Sequence, residues 1–451
     1  MCVACPRSQQ AATSPVSLSA AVPGDCPRRL PTADPLGSLS TRICLLPIAG
    51  DAHAAPPKWT SSMLTVSKDR NLLTTITGSL PRPHWFVANL QGRPFSLAMT
   101  DIAFREQYTD AVASHLSDQA RAGLDLLTDG DARCDCDVGG RSWFAYAAER
   151  LHGLEGHHVG RGRTASSRDK VAGDIMFEVL ETRVLPNVTG PVKRGPLEYA
   201  RVWKVAQRLT RQAVKFGAIS GQMIATGLHD MHYKSRHDLI MALSATMNEE
   251  LTELADAGCP VIQVEEPAIH GMVGVDDKEV TGDFLVEAFN REIRGLRDKT
   301  EVWCHTCWGN PAAQRTETKR RFYAQALPFF DQLDVDVVTF EAADNGGDEL
   351  ESFAKGIGAP KKIAIGVISH RTLQVERPEE VAALIRHALE VIPPERLIVS
   401  TDCGFGRQGM SRLHAFYKMV SLVRGTNIVR RELGLPEADI LAADPKGSLI
   451  G

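Results

Sequence analysis

The sequence predicts an α/β protein with a (β/α)₈ TIM barrel, in which eight parallel strands are each followed by a helix. Three observations lead to this prediction. Eight short apolar runs of strand character occur after about residue 70, longer amphipathic segments separate them, and most of the runs end in a polar or metal-binding side chain. Parallel strands need helical crossovers, so this alternation favours a barrel or a doubly wound sheet. No G-x-G-x-x-G motif follows the first run, which weakens the doubly wound alternative.

The predicted strands and helices can be read directly from the chain. The strands are LLTTIT (72–77), LDLLTDG (124–130), VKFGAIS (214–220), PVIQVEE (260–266), EVWCHT (301–306), VDVVTFE (335–341), KIAIGVIS (362–369) and RLIVSTD (396–402). The helices cover 102–122, 237–257, 279–298, 311–331, 376–392 and 409–433. Several of these segments open with a capping residue or an acid-rich first turn, which are start signals for helices.

Two regions fall outside the regular alternation. The N-terminal stretch is rich in Pro, Ser, Ala and Arg without lasting periodicity, so we expect a disordered extension over 1–66 and a barrel catalytic domain over 67–451. A transit peptide, or a true start at Met63, is an alternative explanation of the extension. The interval between the second and third strands is too long for one crossover, and it predicts an insertion at approximately 131–212, beside the barrel mouth.

Composition narrows the class of partner. The 451 residues are 43% hydrophobic and 24% charged with a formal net charge of −4, so a nucleic-acid partner is not expected. No stretch approaches the roughly 18 to 20 apolar residues that a membrane-spanning helix needs, so we expect no membrane partner. The ten cysteines are irregularly scattered, which is typical of reduced thiols in a cytoplasmic protein. Small molecules are therefore the expected partners.

One short motif, WCHTCWGN at residues 303–310, raises the question of chemistry. The two cysteines and the histidine would suit a zinc half-site, a redox pair or two core cysteines beside a chance histidine. Residues i and i+2 of a strand share a face, so His305 and Cys307 are expected to point together and Cys304 the other way. A redox pair of the thioredoxin type would instead be expected at a helix N-terminus.

Two further strand ends extend the motif into a predicted metal site. Glu341 ends the sixth predicted strand and Cys403 follows the eighth, and the carboxyl ends of barrel strands meet at one face. With His305 and Cys307 they make a donor set that suits tetrahedral Zn²⁺. Two thiolates and a carboxylate outweigh the charge of the ion, so the bound metal is electron-rich and keeps a substrate thiolate nucleophilic. The predicted reaction is attack by a zinc-bound thiolate on an alkyl carbon.

Seven motifs in order give the chain a family resemblance. It resembles the catalytic C-terminal barrel of cobalamin-independent methionine synthase, in the fold group shared with uroporphyrinogen decarboxylase, from about residue 68 to 435. The motifs are TTITGSLPRP (74–83), DGD (129–131), IQVEEPA (262–268), HTC (305–307), FE (340–341), GVISH (366–370) and DCGFGR (402–407). The resemblance implies the same zinc ligands, His305, Cys307, Glu341 and Cys403.

The resemblance also implies roles for residues outside the metal site. His370 would help to protonate the methyl donor, with a solvent-exposed strand-end histidine as the alternative. Ser79, Asp131 and Glu265 would hold the amino-acid end of the substrate. Two features depart from the family pattern: the family has Glu and Asp where this chain has Asp131 and Glu265, and the N-terminal half-protein that helps to bind folate is missing.

The expected function is that of a zinc-dependent methyltransferase which methylates a zinc-bound thiol, homocysteine or a related molecule, as in methionine biosynthesis. The expected partners are this thiol and an alkyl (methyl) donor. Two alternatives stay open: a thiol alkyltransferase that opens epoxides, like a coenzyme M transferase, and a barrel that binds zinc or thiols without turnover. Barrels of this kind often pair through outer helices, so a homodimer is an expected assembly.

Overall fold

The computed structural model of the protein describes residues 66–137, 140–141, 143–158, 185–273, 279–308, 322–406 and 410–443. Nearly all of the predicted N-terminal extension, 1–66, lies outside these residues, as does 159–184 of the predicted insertion. Within the described residues, no helix combines the length and the apolar character needed to cross a membrane.

Eight parallel strands form the central sheet, and all eight overlap the predicted runs. They are β1 (Leu73–Thr74), β2 (Leu127–Thr128), β3 (Val214–Ile219), β4 (Val261–Glu265), β5 (Glu301–His305), β6 (Val337–Phe340), β7 (Lys362–Gly366) and β8 (Leu397–Ser400). Their order around the sheet is β1-β8-β7-β6-β5-β4-β3-β2. The amides of Asp125 and Leu126 each donate to Thr74 O at 3.1 Å, so the backbone also links the first two strands. The predicted barrel is confirmed.

Twelve helices are seen in the described residues. They are α1 (Phe95–Ala98), α2 (Ile102–Ala122), α3 (Trp143–Ala148), α4 (Tyr199–Arg208), α5 (Gly221–Gly227), α6 (Arg236–Asp256), α7 (Ala268–Met272), α8 (Gly282–Glu292), α9 (Leu327–Asp331), α10 (Leu350–Gly356), α11 (Pro378–Leu389) and α12 (Arg412–Glu432). Side-chain caps open the long ones: Asp101 accepts from two amides of α2, and Ser235, Thr281 and Ser411 cap α6, α8 and α12. The six predicted helical segments do not include α1, α3, α4, α5, α7 or α10.

Between β2 and β3 the chain forms elements that are not part of the barrel sheet. Strand His152–His158 pairs antiparallel with Leu185–Lys193, which also pairs with His229–Asp230. A small hairpin joins Cys136–Asp137 to Gly140–Arg141. The observed strand Leu185–Lys193 overlaps ETRVLPNVTGPV (181–192), whose β-like sequence predicts extended structure within the insertion.

The strand alternation divides the apolar core in two. One cluster fills the barrel interior, with Trp303 packed among residues of the other strands, and the larger cluster lies between the sheet and the helices and contains Cys304. Neighbouring residues of β5 thus face opposite layers, as a period of two requires. The same alternation directs His305 into the barrel, toward the carboxyl ends of the strands.

Candidate active site

Three potential metal ligands meet at the carboxyl end of the barrel. His305 ends β5, Cys307 follows two residues later, and Cys403 lies in the loop after β8. One ligand atom from each side chain lies within 4.8 Å of the others, and all three residues are buried. The Sγ atoms of Cys307 and Cys403 are 3.5 Å apart. The structure therefore brings together three of the four predicted ligands, from strands far apart in sequence.

The imidazole of His305 is arranged as a ligand would be. Burial, with Lys215 and His270 nearby, lowers its pKa to about 3, so the ring is neutral. Its Nδ1 lies 2.6 Å from Thr339 Oγ1, whereas Nε2 has no hydrogen-bond partner among the residues that the structure describes. The Glu265 carboxylate is 3.7 Å from Nε2, beyond hydrogen-bond distance. A metal-binding histidine usually makes a hydrogen bond through its other ring nitrogen, and the contact of Nδ1 with Thr339 leaves Nε2 available in this way.

The two thiols are also suited to bind a cation. The contact with Cys403, together with burial and the nearby Glu341 and Glu265 carboxylates, raises the pKa of Cys307 well above its usual value. Two thiolates this close together and this deeply buried would repel each other, unless a cation lay between them. One imidazole nitrogen and two sulfurs form a donor set for a metal ion of borderline softness. The residues present thus fit a metal centre.

Glu341, the fourth predicted ligand, has other partners in this structure. Its Oε1 accepts a hydrogen bond from the amide of Trp308 at 2.9 Å, and its Oε2 lies 3.4 Å from Arg371 Nη2. Burial raises the pKa of Glu341 to about 7, although Arg371 opposes the shift. Glu341 lies beside the three-ligand group without belonging to it, and its ligation of a metal stays a prediction.

His370 is fully buried after β7, so the alternative of a solvent-exposed histidine is wrong. Its Nε2 lies 4.0 Å from Glu341 Oε1, and it also forms a close group with Asp344 and Asp402. Both oxygens of the Asp402 carboxylate accept hydrogen bonds from the backbone, from the amides of 342, 343 and 344. This carboxylate fixes the loop that carries Glu341, and His370 faces the site from the neighbouring strand end.

Two of the three predicted substrate-binding residues converge. A Cβ built on Gly217 of β3 would lie 3.7 Å from Glu265 Oε1 and 3.8 Å from Asp131 Oδ1, so both carboxylates border the same space. Burial, together with the charge of Asp131, raises the pKa of Glu265 to about 8. Two carboxylates crowded in this way favour the approach of a cation such as an ammonium group. Glu266, one residue on, instead bonds Ser220 Oγ and the amides that begin α7.

Ser79 lies on another side of the mouth. Its hydroxyl accepts a hydrogen bond from the Gly406 amide at 3.1 Å, and its carbonyl accepts one from Phe405 at 2.8 Å. A Cβ at Gly404 would come within 2.1 Å of Ser79 Oγ, so this loop needs glycine there to pack so closely. Ser79 is thus placed against the segment that follows Cys403, on the predicted site's edge.

The residues that support the Asp131 and Glu265 carboxylates were not predicted from the sequence. Arg133 donates to Asp131 at 2.9 Å, and Gln263 donates to Glu265 at 2.5 Å. The buried Lys215 donates to Gln263 Oε1 at 2.6 Å, and burial lowers its pKa to about 7. Strand alternation could have found Gln263, since it shares a face with Glu265. The polar residue at 215 inside an apolar strand is also an unusual signal.

Comparisons with known proteins extend over most of the chain. The family described as cobalamin-independent synthase, catalytic domain, matches residues 72–424. A methionine synthase of Saccharolobus solfataricus is 29% identical over 370 residues, which cover 82% of this chain and 98% of that relative. A methionine synthase of Sulfurisphaera tokodaii is 30% identical over 368 residues, covering 80% and 94%. These relatives are thus about as long as the part of the chain that they match.

Solved structures are similar over the same region. A B12-independent methionine synthase from Shewanella sp. W3-18-1, in complex with selenomethionine, has a TM-score of 0.65 and 27% identity. The match covers 81% of this chain and 99% of that one. A protein from Listeria monocytogenes, described as a putative vitamin-B12 independent methionine synthase, has a TM-score of 0.57 at 16% identity and supports the fold alone.

Proposed function

We propose, from the premise that the chain belongs to the family of cobalamin-independent synthase catalytic domains, that it is a methyltransferase which methylates homocysteine. In this proposal His305, Cys307 and Cys403 hold a zinc ion, with Glu341 as an exchangeable fourth ligand. The observation that carries it is the buried group of three ligand atoms within 4.8 Å at the barrel mouth. The relatives named methionine synthase support the choice of homocysteine.

The mechanism assigns each residue one physical task. Bound zinc would supply a cation that keeps the substrate sulfur deprotonated and nucleophilic at neutral pH. The Asp131 and Glu265 carboxylates attract the substrate ammonium group, and Ser79 borders its other end. The sulfur–carbon bond forms as the bond between donor and methyl group breaks, and the donor keeps that electron pair. His370, buried beside Glu341, gives a proton to the donor when its leaving atom is a nitrogen.

The decisive experiment starts with the metal. We expect near-stoichiometric zinc in the purified protein and almost none after Cys403→Ser, measured by elemental analysis, with circular dichroism to show that the variant folds. Near-zero zinc in the wild type, or unchanged zinc in the variant, would overturn the proposed centre. Incubation with homocysteine and, separately, methyl-tetrahydrofolate, methylcobalamin or an epoxide then identifies the donor from the thioether that forms. A product only from the epoxide would favour the alternative alkyltransferase.

Further parts of the proposal concern the whole chain. We place the enzyme in the cytoplasm, as a homodimer without nucleic-acid or membrane partners. The catalytic domain in this proposal is 67–451, with an insertion at approximately 131–212, and 1–66 lies outside it. The formal charge of −4 supports the absence of nucleic acid. Sedimentation tests the assembly, and a monomer would contradict it. Limited proteolysis tests the boundary, since we expect a resistant fragment that begins near residue 67.

A further inference from the structure

Arg133 is a buried cation in the turn that carries Asp131. Its side chain is 4% exposed, and its guanidinium carbon lies over the rings of Phe216 at 4.3 Å, Tyr146 at 5.5 Å and Tyr199 at 5.6 Å. Cation–π contacts of this kind are stronger away from water, so the three rings hold the guanidinium in place. Burial alone would lower the pKa of Arg133, but the nearby Asp131 outweighs it and raises the pKa, so the group stays charged.

The guanidinium of Arg133 ties this turn to the neighbouring barrel strand. Nη1 donates to Asp131 Oδ1 at 2.9 Å and lies 3.5 Å from Asp129 Oδ2, whereas Nη2 donates to the carbonyl of Gly217 at 2.6 Å. Gly217 belongs to β3, which pairs with β4, the strand that ends in Glu265. Arg133 therefore fixes the position of one substrate-facing carboxylate relative to the other.

Asp131 also has an unusual backbone conformation. Its φ is +53°, in the left-handed region that a residue with a Cβ rarely adopts. The amide of Asp131 donates to Asp129 Oδ1 at 2.9 Å, and its carbonyl accepts from the amide of Cys134 at 3.0 Å. Conformations of this kind persist where surrounding contacts enforce them, and they concentrate at ligand sites. The direction of the Asp131 side chain is thus set by the fold at some cost in stability.

Arg133 binds one oxygen of the Asp131 carboxylate and leaves the other accessible. Within the described residues no hydrogen bond is donated to Oδ2, and a Cβ built on Gly78 would lie 3.3 Å from this oxygen. Gly78 directly precedes Ser79, so Oδ2 faces the side of the mouth where the amino-acid end of the substrate is proposed to bind. Because an aspartate has few side-chain torsions, its bond to a fixed guanidinium keeps Oδ2 in one direction.

We infer that Arg133 is a positioning residue that sets specificity, because it holds Asp131 in the direction that selects thiols with an α-amino group. The inference rests on the proposed methylation of homocysteine and adds which group outside the metal centre controls that choice. The positive charge of Arg133 by itself repels an ammonium group, so charge alone does not explain its place. Its benefit lies in the preorganised carboxylate, which then needs no reordering when the substrate binds.

The test compares homocysteine with 4-mercaptobutanoate, which is the same thiol without the amino group. Calorimetric titration of the purified zinc-containing protein gives the Kd of each thiol. In Arg133→Met, the Kd for homocysteine should rise about tenfold, the cost of one charge-assisted hydrogen bond. The Kd for 4-mercaptobutanoate and the zinc content should not change. Arg133→Lys keeps the charge but loses the planar fork that reaches both Asp131 and Gly217, so its Kd for homocysteine should lie between those of Arg133→Met and the wild type.

Arg150→Met is the matched control for the loss of a buried arginine. Arg150 is also buried and lies 4.1 Å over the ring of Tyr146, but it donates to the backbone carbonyls of Tyr146 and Arg93 rather than to a carboxylate of the site. This variant should be less stable to denaturant than the wild type, as Arg133→Met should be. The ratio of its two Kd values should nevertheless equal that of the wild type.

A double variant separates positioning from general damage. In Arg133→Met/Asp131→Asn, the Kd for homocysteine should equal that of Asp131→Asn alone, because the carboxylate that Arg133 holds is gone. The inference is overturned if Arg133→Met changes both Kd values equally or neither, or if its effect persists in the Asp131→Asn background. If Arg133→Met does not fold, the same ratio in Arg133→Lys decides. A wild type that methylates homocysteine but gives any of these results removes the inference alone, whereas a wild type without zinc removes the proposed function as well.

Discussion

The two ends of the barrel both bury polar side chains, but they satisfy them differently. At the amino end, Glu301 accepts hydrogen bonds from Ser67 N at 2.7 Å, Ser67 Oγ at 2.8 Å and Trp303 Nε1 at 3.2 Å. Lys362 donates there to the carbonyls of Ser67 and Arg70. At the carboxyl end, no described residue hydrogen-bonds to His305 Nε2, and two thiols lie 3.5 Å apart.

This difference separates structural polar groups from functional ones. Buried polar atoms in a folded protein nearly always have partners, so a satisfied network at the amino end adds stability and rigidity. A buried nitrogen without a hydrogen bond beside two crowded thiols lowers the stability of the fold. Such an arrangement is expected at a functional site, where a bound ligand offsets the loss. Four predictions test whether the two ends divide in this way.

The largest effect is expected from the two cysteines of one motif. Cys307→Ala should remove zinc and lower activity about a thousandfold, since a catalytic metal supplies several kcal/mol of transition-state stabilisation. Cys304→Ala is the matched control: Cys304 packs in the outer core, so the variant should keep zinc and lose only about 1 kcal/mol of unfolding free energy. Zinc loss in the Cys304 variant, measured by elemental analysis, would contradict the assignment.

The amino end should respond in stability rather than in chemistry. Glu301→Ala leaves three donors without their acceptor, so the free energy of unfolding should fall by about 3 kcal/mol. Zinc content and the KM for homocysteine should not change while the protein is folded. Denaturant unfolding measures the first quantity and steady-state kinetics the second. A variant as stable as the wild type would show that this network does not stabilise the amino end. A folded variant without zinc would show that the two ends are not separate.

The substrate-facing carboxylates should affect binding without affecting metal. A bound ammonium group would favour the ionised form of Glu265, and Glu265→Gln removes that charge, so the KM for homocysteine should rise about tenfold or more, the cost of one charge-assisted hydrogen bond. Zinc content should stay that of the wild type. A simple thiol without an amino group is the control substrate, and its KM should be unaffected. An equal rise for both thiols would mean that Glu265 acts on the metal centre instead.

The smallest effect should come from Gly217→Ala. The added methyl group would lie 3.7 Å from Glu265 Oε1 and 3.8 Å from Asp131 Oδ1, at ordinary contact distance, so the fold should tolerate it. It would occupy part of the space between the two carboxylates and raise the KM for homocysteine a few-fold, roughly 1 kcal/mol or less of binding. Unchanged kinetics would place the ammonium group elsewhere in the mouth.

Local sequence patterns predicted most of the architecture. The eight apolar runs became the eight barrel strands, and the caps at Asp101, Ser235, Thr281 and Ser411 begin the long helices. Period-two alternation also separated His305 from Cys304 correctly. These predictions succeed because strand and helix periodicity depend on near neighbours, and because the carboxyl ends of parallel strands must meet at one face.

Other features depended on residues distant in sequence, and only the tertiary structure decided them. The sequence alone determined the barrel and which strand ends carry reactive side chains. Only the packed structure decided that Arg371 and the Trp308 amide hold Glu341, that His370 is buried, and that Lys215 supports Glu265 through Gln263. Past a strand end, alternation no longer directs a side chain. The loops that the fold brings together then decide which groups the side chain contacts. These contacts depend on distances of a few ångströms between loops, which no local pattern encodes.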